Sequence, residues 1–156
     1  VTMKLGATST TGDPEGEIKA VADTNPTPEA LQEAVEQFRG PIQQVPPAYS
    51  AIKVDGQRAY KLARAGKEVK IEPRQVTINR LEVVSYAYPE VKLIADVSSG
   101  TYIRTLVEDI AKALVTGAYT TELRRIRIGT IDVVRAVAQA DLTEVTIAQN
   151  LSPNTH

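Results

Sequence analysis

The chain contains no cysteine, and its one histidine is His156, the last residue of the sequence. Without thiols there can be no disulfide, no cysteine–histidine zinc site and no thiolate nucleophile; without an internal imidazole, Ser–His and Cys–His couples are closed as well. Any catalysis must run on carboxylates, tyrosines, lysines or arginines, and no metal or cofactor is expected. Long apolar runs are also missing: nothing approaches the ~18 consecutive apolar residues of a membrane span. The first residues do not follow the charged, apolar and small-residue order of a signal peptide, so a cytoplasmic location is expected. Repeats, low-complexity tracts and long linkers are absent, and 156 residues with 42% apolar content imply one globular domain.

Net charge is small, at −1, but the charged residues are unevenly placed. Residues 1–38 hold two Lys/Arg against seven Asp/Glu, residues 39–80 hold nine against three, and residues 81–156 hold seven against nine. A basic middle between acidic ends is what an anionic partner would feel.

Local patterns predict a mixed α+β chain. "LGATSTTGDPEGE" reads as a turn-rich loop beside a strand, with a short strand near Ile18 to Ala22. "NPTPEALQEAVEQFRG" has the grammar of a helix. Thr27 is the N-cap and Pro28 the first helical residue; Leu31, Ala34, Val35 and Phe38 fall on one side, and Gly40 stands at the end. Prolines make "PIQQVPPAYSAIKVDGQ" an extended segment ending in a turn at Asp55-Gly56, followed by a short helix over "RAYKLARAG". "VKI", "RQVTINRLEVV" and "VKLIADVS" read as antiparallel strands. Ile103, Leu106, Val107, Ile110 and Leu114 then form the apolar stripe of a core helix. "AYTTELRRI" is expected to be a shorter helix and "IGTIDVV" a final strand.

Four places could carry chemistry. The first is the basic stretch from Lys53 to Arg74, where Lys53, Arg58, Lys61 and Arg64 are interleaved with Tyr49 and Tyr60. Such a run is either a solvated face or a surface for RNA, whose unpaired bases stack on tyrosine. Second, Tyr102 and Arg104 open the core helix. Tyr102 could simply pack on the sheet and Arg104 pair with Glu108 one turn on, but a strand-to-helix junction beside a glycine is also where clefts form. Arg124 and Arg125, after Leu123, read as solvent-facing or as a further contact for an anion. Asp13, before Pro14, reads first as a turn residue.

Taken in order, "LGATSTTGDPEGEI", "QVPPAYSAIKVDGQRAYKLARAGKEV", "VSSGTYIRTLVEDI" and "GAYTTELRRIRIG" closely resemble successive motifs of the TruB family of pseudouridine synthases, which convert uridine 55 of the tRNA T-loop. The resemblance implies an α+β catalytic domain with a mixed, mainly antiparallel sheet flanked by helices, occupying residues 1–140. A thumb-like RNA-binding segment would span about 41–74 and a tail 141–156, with no PUA domain. It implies that Tyr102 stacks on the target base and accepts its C5 proton, that Arg104 supports the catalytic aspartate, and that Leu123 walls the base pocket. Tyr49, Lys53, Arg58, Tyr60, Arg64 and Arg124 would contact tRNA, and the protein would act as a monomer. The family's nucleophilic aspartate lies in a "GTLDP"-like motif that these residues do not contain. This stretch by itself is therefore expected to be inactive, and a non-catalytic RNA-binding or RNA-folding module of the same ancestry is the alternative. The family also usually has glycine where this chain has Ala111 and Val115, which bears on helix packing.

Overall fold

The computed structural model describes residues 1–21, 24–47, 50, 52–54, 57–59, 71–141 and 143. They fall into two compact units, Val1–Leu123 and Arg124–His156.

The first unit is built on a five-stranded sheet in which every described pairing is antiparallel. Its strands are β1 (Thr2–Leu5), β4 (Gly40–Gln44), β7 (Arg74–Ala87), β8 (Glu90–Val97) and β9 (Ala118–Glu122), in the order β4-β7-β8-β1-β9. β7 and β8 form the long hairpin expected from their alternation: Ile78, Leu81, Val91 and Leu93 turn inward and are buried, while Lys92 points out. Two small ribbons accompany the sheet, β2 (Ala7–Ser9) with β3 (Ile18–Ala20) and β5 (Lys53–Val54) with β6 (Gln57–Arg58).

Two helices close the core. In α1 (Pro28–Glu36) the Thr27 hydroxyl accepts the Ala30 amide hydrogen at 3.2 Å, the expected cap, and Leu31, Ala34 and Val35 are buried. The helix α2 (Ile103–Ala113) buries Leu106, Val107, Ile110 and Ala111 together with Leu31, Val35, Met3, Leu5 and the inward residues of β7 and β8. Burying Leu106, Val107 and Ile110 contributes roughly 5–9 kcal/mol before the entropy of ordering them is counted. Ala111, where the family usually has glycine, fits inside this core with no exposed surface.

Three expectations change. "AYTTE" is not the start of a helix but β9, which pairs with β1 through Met3↔Thr120 and Leu5↔Ala118. Adjacent β-branched threonines favour a pleated surface once a partner strand is available, and β1 supplies it. The single final strand is instead a tight ribbon, β10 (Arg127–Ile128) with β11 (Ile131–Asp132), turned at Gly129 with φ +57°; a 3-10 turn, Val133–Arg135, follows it. Gly40 opens β4 rather than ending α1. The predicted helix over residues 58–66 begins at Arg58, a residue of β6, and most of it lies outside the described residues, as do Tyr49, Tyr60 and Arg64. Among the described residues no helix is long and apolar enough to cross a membrane.

Candidate active site

Three segments distant in sequence converge on the first turn of α2. The chain leaves β8, turns through Ser98–Thr101 and enters α2 at Tyr102, the N-cap, whose backbone is extended at φ −97° and ψ 106°. Tyr102 has no side-chain cap of its own. Gln44, the last residue of β4, instead bonds the backbone of Tyr102 itself: its Oε1 accepts the Tyr102 N–H at 2.7 Å and its Nε2 donates to the Tyr102 carbonyl at 3.0 Å. The same carbonyl accepts from Leu106 N–H, the first hydrogen bond of the helix. Tyr102 itself is half-buried, neither sealed in the core nor free in solvent.

Two residues on, Arg104 meets the loop between β2 and β3. Its Nη1 donates to Asp13 Oδ2 at 2.7 Å and to the Thr11 carbonyl at 2.9 Å. Asp13 Oδ1 accepts from the Thr11 hydroxyl at 2.6 Å and from the Glu15 amide at 3.2 Å. The bond to Glu15 is the turn contact expected of an aspartate at this position, and the pairing with Arg104 adds a role that the turn reading does not contain. Side chains in this ion pair are 28% and 24% exposed, so it borders solvent without lying in it. Burial pushes the Asp13 carboxyl up, but the Thr11 hydroxyl, the Glu15 amide and Arg104 outweigh it and hold it below the ordinary carboxylate range.

Backbone geometry locks the loop in place. Gly12 has φ +75°, and its carbonyl accepts the Thr120 amide of β9 at 2.9 Å. A Cβ at Gly12 would displace the Glu108 carboxylate, 2.7 Å away, and crowd Arg104 Cβ at 3.2 Å, on a backbone angle that itself favours glycine. Glu108, half-buried there, is shifted oppositely to Asp13: burial pushes its carboxyl up, and the cations Lys112 and Arg104 only partly offset that. Glu108 also lines a cleft with Thr8, Ser9, Thr10, Lys112 and Gly117.

Of the residues singled out from sequence, Tyr102 and Arg104 thus share one structured junction. Leu123 stands 59% exposed just past β9, the strand that holds Gly12. Arg124 is exposed and opens the second unit. Lys53 and Arg58 are paired strand residues of the β5–β6 ribbon, described through their backbone. Sequence reasoning missed Gln44 and the Thr11–Asp13–Arg104 link; the one available signal was a glutamine closing a strand just before Val45-Pro46-Pro47. No group of His, Cys, Asp and Glu able to hold a metal ion occurs among the described residues.

Residues 1–103 match the family model described as "TruB family pseudouridylate synthase (N terminal domain)". The chain belongs to the TruB family. Residues 104–154 match a second model, "tRNA pseudouridylate synthase B C-terminal domain", so the two descriptions meet between Ile103 and Arg104, inside the junction just described. Among curated TruB relatives, the tRNA pseudouridine synthase B of Pseudomonas aeruginosa (strain UCBPP-PA14) is 47% identical over 143 residues, covering 92% of this chain and 47% of the relative. That of Ectopseudomonas mendocina (strain ymp) is 48% identical over 145 residues, covering 91% and 46%. The chain spans about half the length of these relatives. A chain from the crystal structure of a Cbf5-Nop10-Gar1 complex superposes with a TM-score of 0.54 at 25% identity, covering 81% of this chain and 29% of that one.

Proposed function

We propose that this chain is part of a tRNA pseudouridine synthase that isomerises uridine 55 of the T-loop, and that the junction at Tyr102 and Arg104 is one wall of its active site. The observation that carries the proposal is the Asp13–Arg104 pair at the helix start that a half-buried tyrosine, two residues earlier, caps, in a chain of the TruB family.

The uridine must leave the stack before its N-glycosidic bond can break, the base turn, and a bond form from C5 to the sugar, with loss of the C5 proton. Tyr102, fixed at the helix start, stacks on the base and accepts that proton. Arg104 supplies positive charge that keeps an attacking carboxylate ionised. Asp13 is poorly suited to attack: both its oxygens are committed, one to Thr11 and Glu15 and the other to Arg104. It serves instead to aim the guanidinium, while the nucleophile comes from a "GTLDP"-like motif outside these residues, so this stretch by itself is inactive. Leu123 contributes apolar surface against the base, and Tyr49, Lys53, Arg58, Tyr60, Arg64 and Arg124 grip the tRNA. The protein works in the cytoplasm as a monomer, without metal or cofactor.

The test is release of tritium from C5 of [5-³H]uridine-labelled tRNA by the full-length gene product. Wild type should release it, Tyr102→Phe should abolish release while binding tRNA normally, and Arg104→Met should reduce it at least ~100-fold. Tight tRNA binding with no release by the wild type would favour the non-catalytic RNA-binding module instead.

A further inference from the structure

We propose that Gln44 is the positioning residue that sets Tyr102 and ties it to the root of the RNA-binding segment, a proposal that rests on the reading of Tyr102 as the group that meets the base. Gln44 is 1% exposed, although a glutamine loses much rotamer freedom on burial and leaves unpaired amide groups unless every partner is met. It is held there by using both ends of its amide on one residue: the carbonyl on Tyr102 N–H and the amino group on Tyr102 C=O. A planar amide bonded at two points fixes the peptide groups on both sides of the Tyr102 Cα, and with them the direction of its Cα–Cβ bond. Helices are commonly started by a Ser, Thr, Asp or Asn that caps itself. Tyr102 does not; its backbone is held by Gln44 from β4 together with the Leu106 N–H of α2, so β4 shares in setting where this side chain leaves the helix start.

The position of Gln44 in the sheet gives the second link. Gln44↔Arg74 is the terminal rung of the β4–β7 ladder. The chain between them, residues 45–73, therefore departs from and returns to a single rung, and it contains Tyr49, Lys53, Arg58, Tyr60 and Arg64. One side chain at the base of that excursion thus reaches across to the residue proposed to receive the C5 proton. Any displacement of the rung on tRNA binding is passed to Tyr102 through two hydrogen bonds.

The test compares wild type, Gln44→Met, Gln44→Glu and Tyr102→Phe in the full-length gene product, each labelled with 3-fluorotyrosine. Single-turnover tritium release and the tRNA Kd are measured together, and the ¹⁹F resonance missing from Tyr102→Phe identifies Tyr102. Gln44→Met matches the side chain in length and removes both bonds; it should slow release at least ~10-fold, leave the Kd within about threefold, and displace or broaden the Tyr102 resonance alone. If Gln44→Met does not fold, Gln44→Glu, which keeps the acceptor but loses the donor, is read by the same criteria. A wild-type rate with an unmoved resonance overturns the proposal, as does a loss confined to Kd. If Tyr102→Phe proves fully active, the reading of Tyr102 falls by itself, and the ¹⁹F shift still reports whether Gln44 holds residue 102.

Discussion

Arg104 is held by a carbonyl and a carboxylate contributed from more than ninety positions away in sequence. Its charge therefore points along one direction instead of sweeping through solvent. Asp13→Asn keeps the size of the side chain but loses the ion pair, and should destabilise the fold by about 1–2 kcal/mol at neutral pH. Because the folded carboxyl lies below its ordinary value, its stabilising contribution is complete above the unfolded value of about 3.9 and is lost as pH falls through the folded one. Melting curves of wild type and Asp13→Asn should thus be well separated at pH 7 and converge in acid; a gap that stayed constant down to pH 2 would contradict the assignment. Gly12→Ala combines a left-handed backbone angle with a clash against Glu108. We expect a loss of roughly 1–3 kcal/mol from the backbone angle, read by urea unfolding and largely retained when Glu108 is shortened to Ala in the same chain, because the Glu108 carboxylate is the free end of a side chain that can move aside.

At the scale of elements, the C-terminus of α2 carries an avoidable strain. Val115 N–H donates to the Lys112 carbonyl and Thr116 N–H to the Ala111 carbonyl, the paired bonds of a Schellman ending, and this places Val115 at φ +55°. A β-branched residue in that region crowds its Cβ against the backbone, and Val115 gains little from packing because it is 81% exposed. Val115→Gly should therefore raise stability by about 1 kcal/mol, seen as a higher urea midpoint at unchanged m-value. The departure noticed in the sequence at Val115 thus has a cost, whereas the one at Ala111 is absorbed by the core. Both main helices and the β7–β8 hairpin were legible beforehand because their signals are local: a Thr-Pro cap, a stripe at helical spacing, and an alternation of period two. β9 was not, because "AYTTE" becomes a strand only by pairing with β1, 113 or more residues earlier.

For the whole molecule, the electrostatic part of the proposed tRNA contact rests on the basic stretch of the sequence and can be tested separately. Affinity for T-arm RNA should fall steeply between 50 and 200 mM salt, and Lys53→Ala or Arg64→Ala should each lower the log–log slope by about one, measured by filter binding. Slopes unchanged by either substitution would identify the stretch as a merely solvated face. The amino-acid sequence by itself determined the α+β class, the starts of α1 and α2, the concentration of positive charge and the candidacy of Tyr102 and Arg104, since each rests on composition or on neighbours close along the chain. Only the tertiary structure decided that β9 is a strand, that Arg104 answers to Asp13, and that Gln44 grips Tyr102. Those contacts join residues from 58 to 120 positions apart, and no local pattern encodes which distant group will fill a hydrogen-bonding vacancy once the chain has closed.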